Sequence, residues 1–144
     1  MGKVRDILRN KGNSIFSIEP SETVFSALES LVRNNIGALM VVEDGKFVGI
    51  FTERDYARKV ILKGKASKGT LVRDIMTQQP ITVTMHTTIQ ECMSIMTTKF
   101  IRHLPVIEDG ELVGLISIGD VVKFIIDEQT GIIEYLEHYI TGHQ

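Results

Sequence analysis

The stretch VVEDGKFVGIFTERDYARKVI, residues 41–61, occurs a second time as VIEDGELVGLISIGDVVKFII, residues 106–126. The two superimpose without a gap at an offset of 65 residues, and the match extends outward from them. Val24, Leu28, Leu31, Ile36 and Leu39 fall on Ile89, Met93, Met96, Ile101 and Leu104, all apolar. Further upstream, VRDIL at 4–8 pairs with VRDIM at 72–76 once three residues are inserted around NKGNS. The chain is one supersecondary unit written twice. The copies span 4–64 and 72–128, a linker spans 65–71, and a tail spans 129–144.

Periodicity assigns the elements of each copy. ETVFSALESLVRNN places Val24, Leu28, Leu31 and Val32 at helical spacing, with Ser21 and Thr23 as candidate caps. ALMVVE, DGK and FVGIFT form a hairpin pattern, two β-branched runs joined by Asp-Gly. ERDYARKVILKG resumes a helical pattern that stops at Gly64. With a short strand at FSIE, each copy reads β-α-β-β-α. One copy alone is too small to bury a stable core, so the expected fold is α/β (α+β), two such repeats packed sheet to sheet. The tail GIIEYLEHYITG, 131–142, reads as a short amphipathic helix.

The 144 residues are 43% hydrophobic, enough for a real core. Sixteen basic against 18 acidic residues leave a net charge of −2, with no global basic field for nucleic acid or anionic lipid. The longest apolar run, IGALMVV at 36–42, is far short of a membrane span, and the charged N-terminus lacks the apolar core of a secretory signal. Asp6 stands where a myristoylation signal needs Ser or Thr. The expected setting is cytoplasmic, with no membrane or nucleic-acid partner.

No catalytic set is written in the chain. His86, His103, His138 and His143 do not stand at metal-ligand spacing to one another or to Cys92, so no metal site is expected. Cys92 falls on Ala27 and reads as a small buried residue. GLISIG around Ser117 has the spacing G-x-x-S-x-G, one residue too long for a nucleophile elbow, and there is no glycine-rich phosphate loop. The expectation is a protein that is not an enzyme.

One pattern interrupts the apolar runs in both copies. Thr52 and Asp55 in the first fall on Ser117 and Asp120 in the second, a hydroxyl ending a strand and a carboxylate opening a helix. A capping box has this spacing. So does a site in which the carboxylate accepts from a vicinal diol while amides and the hydroxyl take a phosphate. Duplication copies caps as readily as sites, so the repetition alone does not choose.

The EDG hairpins followed by TERD and SIGD, the segment IRHLPVIEDG and the lead VRDIMTQQPITV resemble a tandem pair of CBS (cystathionine-β-synthase) domains, a Bateman module, over about residues 4–127. The resemblance implies a stand-alone regulatory module that binds adenosine-containing ligands such as AMP, ATP, NAD or S-adenosylmethionine in clefts between the repeats. It implies Asp55 and Asp120 for the ribose, with Thr52 and Ser117 beside the phosphate. For the adenine it implies Ile15, Phe16, Ser17 and Ile18 with Ile36, Gly37 and Ala38, and Pro80, Ile81, Thr82 and Val83 with Ile101 and His103. It also implies a disc-like homodimer, consistent with the apolar helix stretches VVKFII and IIEYLEHYI needing cover, and an unidentified effector protein as partner.

The copies differ beside these positions. Gly37 and Ala38 are replaced by Arg102 and His103, and Arg54 by Gly119, so the two clefts are expected to bind unequally. Arg54, Arg58, Arg102 and His103 are candidate phosphate contacts, with strand-edge solvation or an interface contact as the other reading of Arg102 and His103. The basic run from Arg58 to Arg73 is either a solvated surface or a further phosphate contact. A constitutive interaction scaffold with no nucleotide is the alternative function.

Overall fold

The lead-in helices are exchanged between the repeats. The structure, a computed structural model, describes residues 2–141; His143 and the end of the expected tail helix at Gly142 lie outside them. Helix α1 (Val4–Lys11) buries Val4, Ile7 and Leu8 against Ile89, Cys92, Leu104, Ile116 and Val121 of the second repeat. Val4 N donates to Thr87 O at 2.9 Å, and Ile89 N donates to Gly2 O at 3.0 Å. Helix α4 (Val72–Ile75) returns the exchange, burying Val72 and Ile75 with Val24, Leu39 and Phe51 of the first repeat. The lead-ins grouped with their own copies by sequence therefore pack in the other copy's core. VRD-Ile-Leu and VRD-Ile-Met present nearly the same apolar edge, so either core accepts either one.

The first sheet has the order β1 (Ser17–Ile18), β2 (Ala38–Glu43), β3 (Lys46–Thr52), β4 (Thr77–Gln78), the first pair parallel and the others antiparallel. The second pairs β5 (His103–Glu108) with β6 (Glu111–Ser117). Both hairpins turn through Asp-Gly with φ positive at both residues, 52° and 77° at Asp44 and Gly45, 49° and 78° at Asp109 and Gly110. A two-residue turn matched to the strand twist requires that geometry. The opening strand expected in the second copy shrinks to one parallel bridge, Val83 to Val106. In the first copy Met40 N donates to Phe16 O at 3.0 Å; Met40 corresponds to Pro105, which has no N–H to give.

Helices α2 (Val24–Asn34) and α5 (Ile89–Lys99) start at Thr23 and Thr88, whose hydroxyls accept from the amides of Ser26 and Glu91 at 3.1 Å. After β3, α3 (Glu53–Tyr56) widens into a π-turn over Ala57–Ile61. After β6, α6 (Ile118–Thr141) runs unbroken for 24 residues. The tail is thus the outer part of this helix, not a short helix of its own.

Alternation along β2 builds the join between repeats. Leu39 and Val41 enter the first core, while Ala38 and Met40 turn the other way and, with Ile50, meet Leu112 and Leu115 of β6. Burying Met40 and Ile50 in this seam contributes about 1.5–3 kcal/mol each. The same alternation puts Leu104 and Val106 of β5 into the second core and His103 on the opposite side of its strand, toward the seam.

Candidate functional site

Both hydroxyl–carboxylate pairs form caps. In the first repeat the Asp55 amide donates to Thr52 Oγ1 at 3.2 Å, and Asp55 Oδ2 accepts from the Thr52 amide at 3.0 Å and the Thr52 hydroxyl at 3.1 Å. In the second, the Asp120 amide donates to Ser117 Oγ at 3.2 Å and Asp120 Oδ2 accepts from the Ser117 amide at 2.8 Å. Beyond these reciprocal bonds the surroundings diverge.

Asp55 is 6% exposed, and its second oxygen is also occupied. Oδ1 accepts from Thr77 Oγ1 at 3.0 Å and pairs with Lys59 Nζ at 3.0 Å. Lys59 also donates to Ile75 O at 3.1 Å. A carboxylate has about four lone-pair sites, and Asp55 spends all of them inside the protein. Ribose binding there requires Thr77 or Lys59 to let go. Thr77 reaches Asp55 because β4 lies along β3, the packing that the exchanged lead-in enforces.

Asp120 is open. Its side chain is 23% exposed, Oδ2 holds the Ser117 amide and Lys11 Nζ, and Oδ1 has no hydrogen bond among the described residues. Lys11 also donates to Leu115 O at 2.8 Å. Burial by itself raises the Asp120 carboxyl, but the bonds from Lys11 and from the Ser117 amide outweigh it and hold the group below the usual carboxylate range. Lys11 was not among the residues expected from sequence. The signal was the three-residue insertion around NKGNS, which gives α1 the length to carry an ammonium to a helix start 109 positions away.

His103 pairs with Ser117 across the β5–β6 ladder. Its imidazole lies against Gly37 of the first repeat: a Cβ at Gly37 would stand 3.2 Å from Cε1 and 3.3 Å from Nε2. The absence of a side chain at Gly37 is what lets the histidine cross the seam. Burial, then the positive charge of Lys11, lower the His103 pKa below 6.5, with Arg102 adding to that and Asp120 opposing it. Lys11, Ser117, Asp120 and His103 thus form one cluster, with exposed Arg102 beside it. Arg54 is partly buried and Arg58 exposed, and neither is in an ion pair among the described residues. In the basic run, Lys59 is committed to Asp55, and Lys68 sits over the Phe25 ring at 4.8 Å from its centre.

The apolar segments expected around an adenine divide. Ile18 and Ile36 pack in the first core, Val83 and Ile101 in the second, and Ile15 and Ala38 in the seam. Phe16 and Ile81, equivalent positions, are exposed apolar side chains, and Thr82 is exposed beside a half-buried Pro80. Ser17 and Ile18 line a groove of about 280 Å³ with Ser26, Ser30 and Arg33, whose walls include neither Thr52 nor Asp55.

Burial, then the Glu91 charge, raise the Cys92 thiol to about 11, the condition of a packed core residue and not of a nucleophile. Among the described residues no three metal-binding side chains converge, and no helix is long and apolar enough to cross a membrane.

A duplicated unit with exchanged lead-in helices, sheets joined face to face and a capped helix after each second strand defines a tandem α/β repeat module. The CBS domain family model matches residues 4–62 and 72–127, and the chain belongs to the CBS-domain family. It is 41% identical over 148 aligned positions to the CBS domain-containing protein CBSX3, mitochondrial, of Arabidopsis thaliana, covering 96% of this chain and 72% of that protein. It is 43% identical to a protein with CBS domains from Burkholderia ambifaria MC40-6, with a TM-score of 0.84 and coverage of 88% and 96%. The crystal structure of CBSX2 in complex with AMP superimposes with a TM-score of 0.72 at 25% identity, covering 88% of this chain and 98% of that one.

Proposed function

We propose that this protein is a regulatory module that binds an adenine nucleotide in the second of its two clefts, built by Ser117, Asp120, His103 and Lys11, and passes the bound state to an effector protein. The observation that carries the reading is the free Oδ1 of Asp120 beside an ammonium, where Asp55 has no free oxygen. A ribose diol donates to Oδ1 while Lys11, Arg102 and the Ser117 hydroxyl take the phosphate. Phe16 or Ile81 supplies apolar surface for a base. The AMP bound to the related CBSX2 supports this ligand class. ATP and NAD share the adenosine half and belong to the same proposal, as does the cytoplasmic setting. The chain does no chemistry in this reading: binding shifts the population of two arrangements by its unequal affinity for them.

A constitutive interaction scaffold is the second reading, favoured by the fact that both caps close without a ligand. A thermal-shift panel of AMP, ATP, NAD, NADH and S-adenosylmethionine separates the two. A ligand present at 100 times its Kd stabilises the fold by about 2.7 kcal/mol. A panel that leaves the melting temperature unmoved at millimolar ligand leaves the scaffold reading standing.

A further inference from the structure

The groove of about 280 Å³ beside the edge strand β1 and helix α2 belongs to neither cap. Ser17 of β1, Glu22 of the turn that follows, and Ser26, Glu29, Ser30 and Arg33 of α2 line it. The four helix residues share one face because their spacings are three and four, while Ala27 and Leu31 carry the adjacent stripe into the core. Glu22, Glu29 and Arg33 are exposed, and none of them makes an ion pair among the described residues. Glu29 and Arg33 stand four positions apart, where such a pair on a helix surface ordinarily meets. The hydroxyls are left as donors: Ser26 Oγ accepts from Thr23 Oγ1 at 3.3 Å and Ser30 Oγ from Asn34 Nδ2 at 3.2 Å, and neither serine's proton has an acceptor among the described residues. The second copy has Thr82, Thr87, Glu91, Ser94, Ile95 and Thr98 at the equivalent positions. Glu91 there folds back on its own cap, where Oε1 accepts from the Thr88 hydroxyl at 2.9 Å. Duplication therefore does not account for the lining in the first copy.

We propose that this groove binds a basic α-amino acid, of the lysine or arginine kind, with its carboxylate on Arg33 and the Ser26 and Ser30 hydroxyls and its two cationic groups on Glu22 and Glu29. The charge balance selects this class. Two carboxylates against one guanidinium leave the lining with an excess negative charge, and a basic amino acid presents the reverse set, two cations and one carboxylate. A neutral amino acid leaves one glutamate unmatched. A diamine leaves Arg33 and the hydroxyls without an acceptor, and a nucleotide phosphate brings further negative charge to Glu22 and Glu29. The volume is that of a site for a small ligand. Glu22 and Glu29 are seven residues apart, about two helical turns or 10 Å, and their flexible side chains close on the two ends of an extended ligand. The inference does not rest on nucleotide binding, since the walls include none of Thr52, Asp55, Ser117 and Asp120.

The test is calorimetric titration of L-lysine and L-arginine into the whole chain, joined to mapping of amide shifts by NMR. Cadaverine, 6-aminohexanoate and L-leucine serve as probes that lack the carboxylate, the α-ammonium and the side-chain cation in turn. One basic amino acid is expected per chain, with shifts centred on residues 17–33 and each truncated probe at least about tenfold weaker, the size of one charge-assisted contact. Arg33→Gln weakens L-lysine by a similar factor and leaves cadaverine no weaker than in wild type, whereas Glu29→Gln weakens both. These side chains are exposed, so both variants keep the wild-type melting temperature without ligand, which shows that lost binding is not lost fold. No binding of either basic amino acid at millimolar concentration, cadaverine bound as tightly as L-lysine, an unaltered affinity for L-lysine in Arg33→Gln, or shifts centred elsewhere overturns the inference.

Discussion

Asp55 and Asp120 stand at equivalent places in a duplicated unit, each opening a helix behind a strand that ends in a hydroxyl, and they have been put to different uses. Asp55 is buried and bonded on both oxygens, so it ties Thr52, Thr77 and Lys59 into one knot at the edge of the first sheet. Asp120 keeps one oxygen free and its ammonium partner comes from α1 of the exchanged pair. The caps are alike because duplication preserved the local sequence. The environments differ because the segments beside them do: a strand carrying Thr77 in one case, a longer helix ending in Lys11 in the other. One repeat's cap is thus closed within the protein, and the other keeps an oxygen available for the ligand proposed above.

Removing the two carboxylates should expose this division most strongly. Asp55→Ala leaves the Thr52 amide and Thr77 hydroxyl unpaired next to the core and is expected to cost about 3 kcal/mol, with Lys59 contributing little of it because that side chain is 43% exposed. Asp120→Ala removes a cap and one exposed ion pair and is expected to cost about 1 kcal/mol. Urea titration of both variants checks the order; equal losses would remove the structural half of the comparison.

Lys11→Met sharpens the other half. AMP affinity is expected to fall about tenfold, the size of one charge-assisted contact, while adenosine affinity stays as in wild type. If calorimetry finds both ligands weakened alike, Lys11 shapes the cleft without touching phosphate.

The smallest effects are in pH. The folded Asp120 pKa is depressed, so its contribution to stability is full above the unfolded value near 3.8 and is lost as pH falls through the lower folded value. His103 is also depressed, so its neutral form is compatible with the fold above pH 6.5, and stability is lost as pH falls from there through its folded pKa. His103→Gln should therefore lose less stability than wild type between pH 7 and pH 5 in parallel denaturation series. A bound phosphate raises the imidazole pKa, so the wild-type ratio of AMP to adenosine affinity at pH 6 over pH 8 should exceed that of His103→Gln. Identical ratios in the two proteins would return His103 to a packing role.

Much of the fold was legible because its signals are local. The Asp-Gly turns, the Thr23 cap and the β-branched hairpin runs are each written within about ten residues, and they appear where the sequence pattern put them. The helix exchange was not legible, because VRDIL and VRDIM offer the same apolar edge and only the long-range packing distinguishes the cores. The lost strand in the second copy was written in Pro105, whose missing N–H has an effect only once its parallel neighbour is known. At the site, the hydroxyls and carboxylates were readable as repeats, whereas their availability was not. Saturation of Asp55 depends on Thr77, 22 residues away, and the ammonium beside Asp120 comes from Lys11, 109 residues away.

The central claim, that the second acidic cap is the ligand-facing one, is tested most directly by calorimetric titration of AMP into wild type and Asp120→Ala with the fold of both checked by circular dichroism. The account predicts one AMP per wild-type chain and an affinity at least about tenfold lower in the variant, a loss of 1.4 kcal/mol or more. Two equal sites per chain, or the same affinity in both proteins, would contradict it.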